Sequence, residues 1–179
     1  MKHFGISFHD KASVLDQILT EYPQIEVVQI QFNYVDYEDA SVESRKCYEV
    51  CEKHGKPVIA MEPVKGGSLV NLPEAAKKIF DDLQGGSPAS YAIRFAANFP
   101  NVMMVLSGMG NMDMMSENVS FMKNFVPLND AEKKAIEQVC EIFHSQNIIP
   151  CSKKYCYSGF ICVFECKKTV SKLEYRLLL

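Results

Sequence analysis

Three stretches of this 179-residue chain carry residue types and spacings suited to chemistry. Val102 to Asn118 reads VMMVLSGMGNMDMMSEN, an apolar run, a glycine-containing turn and a helix beginning near Asn111. The free N–H groups of such a helix start face whatever lies beyond the strand end, which makes an anion site. Glu62 to Leu69, EPVKGGSL, follows another apolar run and sets the cation of Lys65 beside Gly66 and Gly67, a pair equally readable as a plain turn. Cys151, Cys156, Cys162 and Cys166 place four thiols within sixteen positions. Such a set suits iron–sulfur or zinc, and it also occurs with no metal. His3, His9, His54 and His144 lack metal-ligand spacing.

The elements that must position these residues alternate. His3 to Phe8 reads as a strand, and Asp10 as the cap of a helix with Val14, Leu15, Ile18 and Leu19 inward. Val27 to Phe32 is the second strand, and its helix runs from about Ala40 to His54, stopped by Gly55 and Pro57. Pro57 to Met61 is the third strand. Two helices follow, roughly Pro73 to Asp82 and Ser87 to Asn98, the second with Ser87 as N-cap and Pro88 at its first position. Val102 to Leu106 is the fourth strand, and Asn129 with Glu132 forms a capping box for a last helix carrying Ala135, Ile136, Val139 and Phe143 inward.

Four strands, each followed by at least one helix, predict an α/β chain amounting to half of an eight-stranded barrel, whose whole needs about 250 residues. The alternative is a four-stranded open, doubly wound sheet. A half barrel has two open edges, and open edges call for a partner. The expected division is a half barrel over 1–126, a C-terminal helix over 127–147 and a cysteine-rich tail over 148–179.

Composition narrows the function classes. A 47% hydrophobic, 23% charged chain buries one core, and a net charge of -3 without a Lys/Arg block speaks against nucleic acid and anionic membranes as partners. No apolar window reaches the length of a membrane span and the N-terminus lacks a signal-peptide core, so a cytoplasmic setting is expected. Cys47, Cys51 and Cys140, within helical patterns, read as small reduced core residues.

Four blocks in order, HFGISFHD, VVQIQFNYVDYE, PVIAMEPVKGGSL and VLSGMGNMDMMSENV, resemble the second half of an aldo-keto reductase, in the branch that ends in a ferredoxin-like cysteine motif. The resemblance covers Lys2 to about Pro150. It implies a partial (β/α)8 TIM barrel, its last four β-α units, plus a C-terminal helix and a cysteine-containing tail. It also implies NAD(P) held across the mouth formed by the C-terminal strand ends.

By the same resemblance Ser7 and Gln29 bind the nicotinamide carboxamide, and Met61 stands where many members stack an aromatic ring. The loop carrying Pro63, Lys65, Gly66, Gly67 and Leu69 wraps the pyrophosphate. Ser107, Gly108, Met109 and Asn111 cradle the adenosine phosphate, and Glu117 with Asn118 binds the adenine amino group. Two departures stand out. Gly108 and Met114 occupy positions where NADPH-selective members carry basic residues. The family's catalytic tyrosine and its partners belong to the first four strands, so no catalytic residue is assigned.

By resemblance to that branch the tail would carry a 4Fe-4S cluster on Cys151, Cys156, Cys162 and Cys166, but its intervals depart from the family's and Lys167 stands where a proline is expected, so zinc and no metal stay open beside it. The function expected is therefore an oxidoreductase fragment that binds NAD(P) and reduces carbonyls only with a complementing N-terminal half. The partners are the dinucleotide and, through the open edges, that half or a second copy. The alternatives are a non-catalytic scaffold and an iron–sulfur electron-transfer protein.

Overall fold

A computed structural model of the chain describes residues 3–145. Four strands, β1 (Gly5–Phe8), β2 (Val27–Gln31), β3 (Val58–Met61) and β4 (Val102–Val105), form one parallel sheet in the order β1-β2-β3-β4. Between and after them run α1 (Ala12–Glu21), α2 (Ser44–Lys53), α3 (Glu74–Leu83), α4 (Pro88–Ala97), α5 (Met112–Lys123) and α6 (Asp130–Ser145).

Sequential strand order decides between the two expected architectures. A doubly wound sheet reverses direction at a switch point and covers both faces with helices, whereas right-handed crossovers in unbroken order put every helix on one face. The strand residues follow that rule. Phe8, Val28, Ile30, Val58 and Ala60 are buried together with Leu15, Ile18, Leu19, Cys47 and Cys51 of the helices. Ser7, Gln29, Gln31, Ile59 and Met61, on the opposite face, are only half-buried. The sheet is a segment of barrel wall.

A second core lies under the α3, α4 and α6 helices, where Phe80 stacks on Tyr91 at 4.3 Å and Ala135, Ile136, Val139 and Phe143 close over them. Helix α6 is thus locked to the wall. Its capping box forms as expected, Glu132 N donating to Asn129 Oδ1 at 2.9 Å and Asn129 N to a Glu132 carboxylate oxygen at 2.8 Å.

Two local expectations are corrected. Asp10 does not cap α1, because its carboxylate turns to the Lys11 N–H, and the Ala12 N–H is taken at 3.0 Å by Glu43 from the next β-α connection. Helix α2 starts at Ser44 rather than near Ala40, since Glu43 sits in the left-handed region at φ 56°. Strand pairing trims the rest: β1 begins at Gly5 because pairing with β2 begins there, opposite Val27.

Among the described residues nothing covers the flank formed by β4 and α5. Helix α5 buries no residue, and Met103, Met104, Leu106, Met112, Met115 and Val119 are exposed there, Met103 at 59% and Met112 at 70%.

Candidate functional site

Parallel strands bring their C-terminal ends to one edge of the sheet, so the β3 loop and the β4 turn open toward the same mouth. On the helix-free face, the register sets Ser7 beside Gln29, and Met61 stands one step further along β3. Gln29 Nε2 lies 3.2 Å from Met61 Sδ and donates weakly to Ser7 Oγ at 3.5 Å. Ser7 Oγ is 3.1 Å from His9 Nε2. Desolvation lowers the His9 pKa below its ordinary value, which favours a neutral ring able to accept the Ser7 hydroxyl proton. Three residues expected at one ligand end are therefore neighbours, and His9, given no role from sequence, joins them. Period-two alternation was the signal, since His9 shares the face of Ser7.

The loop after β3 is built from unusual backbone. Glu62, Lys65, Gly66 and Gly67 all have positive φ, at 55°, 47°, 59° and 91°. Residues 65–67 make a short 3-10 turn, and Gly66 N donates to the Glu62 carboxylate at 2.8 Å. Pro63 and Leu69 are buried and serve as the loop's apolar anchors.

Lys65 departs from the expectation that its charge faces the mouth. Its side chain is 7% exposed and its ammonium lies against the Asp36 carboxylate, itself 1% exposed. Burying a cation is costly unless it is paired, so the charge is directed inward onto the Asp36 carboxylate.

At the β4 turn, Asn111 caps α5 by accepting from Met114 N at 2.9 Å, and Asn118 Nδ2 donates to Ser107 Oγ at 3.1 Å. That bond ties the helix back onto the turn that carries Gly108 and Met109, both exposed. Glu117 is exposed and also lines a cleft of about 420 Å³ together with Gly86, Ser87, Ser90, Ser120 and Asn124. Sequence reading gave the start of α4 no role beyond capping. Its Ser87 cap is present, accepting from Ser90 N at 3.2 Å.

The cysteine set Cys151, Cys156, Cys162 and Cys166 lies outside the described residues. Among the described residues no group of three or more His, Cys, Asp or Glu side chains is placed to hold a metal. Burial pushes the Cys47, Cys51 and Cys140 thiols up to about 12, which leaves them unreactive packing residues. Burial likewise raises the phenols of Tyr34, Tyr37, Tyr48 and Tyr91, the opposite of what a proton-donating tyrosine needs. No helix among the described residues is long and apolar enough to cross a membrane.

A one-sided parallel β/α wall, with two glycine-bearing turns and a polar patch gathered at its C-terminal mouth, defines a partial TIM barrel. The profile of the aldo/keto reductase family matches residues 1–141, and the chain belongs to that family. Solved structures agree on the fold. The chain is similar to a thermostable aldo-keto reductase in complex with the inhibitor epalrestat, at 20% identity and a TM-score of 0.59, over 77% of this chain and 48% of that one. It is similar to the holo form of an aldo-keto reductase from Bacillus halodurans, at 17% identity and a TM-score of 0.59, over 77% and 50%. It is also similar to an aldo-keto reductase from Klebsiella pneumoniae in complex with NADPH, at 14% identity and a TM-score of 0.58, over 77% and 48%. The chain spans about half the length of these structures. No curated protein matches it significantly.

Proposed function

We propose that this chain is the NAD(P)-binding half of an aldo-keto reductase-type oxidoreductase. The observation that carries the reading is the convergence of Ser7, Gln29 and Met61 on the open face, at the mouth onto which both glycine turns open. The donor set fits the group. An amide and a hydroxyl side by side match a carboxamide, which both donates and accepts.

In this reading Ser7 and Gln29 orient the nicotinamide, and Met61 packs against its ring through a polarizable thioether. The backbone of Gly66 and Gly67 approaches the pyrophosphate. Ser107, Gly108, Met109 and Asn111 take the adenosine phosphate at the start of α5, and Glu117 with Asn118 the adenine amino group. The bound dinucleotide supplies hydride chemistry. The proton donor for a carbonyl oxygen comes from a complementing N-terminal half, whose strands and helices also cover the β4/α5 flank.

The Klebsiella pneumoniae relative in complex with NADPH supports the choice of ligand. A thermal melt tests it. NADH or NADPH at about a hundred times its dissociation constant raises stability by roughly 2.7 kcal/mol, and a melt unmoved by both nucleotides removes the reading. Strong carbonyl turnover by the isolated chain contradicts the division of labour between two halves. An iron–sulfur group on the four tail cysteines belongs to this reading only through the resemblance, and colourless, iron-free protein after anaerobic purification eliminates it.

A further inference from the structure

The loop over 62–69 places four residues in the left-handed region within six positions, and two of them, Glu62 and Lys65, are not glycine. Side chains at such φ cost about 1 kcal/mol or more each and persist only where the surroundings over-determine the backbone. Something must hold this loop.

The holder is a polar network from the connection between β2 and α2. Asp36 Oδ1 takes the Lys65 ammonium at 2.5 Å, and Asp36 Oδ2 accepts from Gln31 Nε2 at 2.6 Å and Asn33 Nδ2 at 2.8 Å. Asn33 Nδ2 also reaches the Glu62 carbonyl at 3.1 Å, while Asn33 Oδ1 accepts from Asp36 N at 3.0 Å. The loop is thus gripped twice, at the Glu62 backbone and at the Lys65 side chain. Asn33 and Asp36 are both fully buried.

We propose that Asp36, acting through Lys65 and Asn33, is the positioning residue of the dinucleotide loop, and that Lys65 is a strut rather than a phosphate ligand. This rests on the NAD(P) reading above and deepens it. Two consequences follow for the pyrophosphate. The loop meets it with backbone N–H groups and no free cation, and the Glu62 carboxylate must leave Gly66 N for a phosphate oxygen to take its place. A buried ion pair adds little net stability over an apolar substitute, but it can fix a conformation that apolar packing leaves degenerate.

Calorimetric titration of NADPH into the full chain at low and high salt, on wild type, Asp36→Asn and Lys65→Met, tests this, with circular dichroism checking the fold. Both substitutions are expected to weaken binding by about tenfold, since a loosened support shell misplaces the contacts it carries. The ratio of dissociation constants at the two salts is expected to stay that of wild type. Binding that Lys65→Met leaves unchanged, a salt dependence that it flattens, or tighter binding by Asp36→Asn overturns the proposal.

Should a variant fail to fold, acetylation of wild-type lysines, with and without NADPH, decides instead. Lys65 is expected to label slowly in both states, while Lys46, 55% exposed, labels quickly. Labelling of free Lys65 at the rate of Lys46, with protection by NADPH, refutes the strut. If wild type gives no NADPH heat, the cofactor reading fails separately. The strut is then judged by amide exchange over residues 62–69, expected to accelerate in Asp36→Asn and refuting the proposal if it does not.

Discussion

Replacing Arg94 with methionine tests how α6 is fastened to the barrel wall. Arg94 is 6% exposed and Glu132 5%. The guanidinium grips the carboxylate with both forks, Nη1 to Oε1 at 2.8 Å and Nη2 to Oε2 at 3.0 Å, and Nε donates to the Val126 carbonyl at 3.0 Å. Arg94→Met removes these bonds and leaves a buried carboxylate without its cation, a class of change that costs about 3–5 kcal/mol. For a domain of this size that lowers the melting temperature by roughly 10 °C.

The pH dependence gives the prediction its second arm. In wild type, desolvation pushes the Glu132 pKa up, but the Arg94 bonds and the Asn129 N–H outweigh it and the net shift is downward. Its contribution is present above the unfolded carboxylate pKa and lost as pH falls through the folded value. In Arg94→Met only desolvation and the Asn129 bond remain, so burial turns the shift upward and the variant is destabilised most at neutral and alkaline pH. It recovers part of its stability as pH falls toward the unfolded pKa. Adding Glu132→Gln, which keeps a capping-box acceptor, restores most of the loss. Denaturant melts at pH 5 and pH 8 make the comparison. A cost below about 1 kcal/mol with no pH dependence means that the pair is solvated and the argument wrong.

Two further outcomes follow from features away from the mouth. Glu43→Gln weakens the bond to the Ala12 N–H, which with the Lys46 bond holds the Glu43 pKa below its ordinary value. A loss of about 1 kcal/mol is expected at pH 7, shrinking as pH falls below the ordinary carboxylate range and through the lowered folded pKa; a loss that stays constant as the pH is lowered, in denaturant melts, contradicts the capping role. Met103→Lys with Met115→Glu, on side chains 59% and 47% exposed, leaves stability within about 0.5 kcal/mol and lowers self-association in light scattering. Unaltered association shows that the flank is not the adhesive surface.

Much of this protein is written locally. The β-α alternation, the Ser87 and Asn111 caps and the Asn129/Glu132 box were all legible because each depends on residues within one helical turn. The convergence of Ser7, Gln29 and Met61 was legible through family resemblance, and strand register gives it a physical basis.

What only tertiary structure decided is where charges find partners. Glu43 capping α1, Lys65 turning to Asp36 and Arg94 gripping Glu132 join residues 31, 29 and 38 positions apart. No periodicity marks such pairs. A buried charge must be compensated, yet which side chain compensates it depends on which elements the sheet brings side by side, and that is known only once the wall has formed.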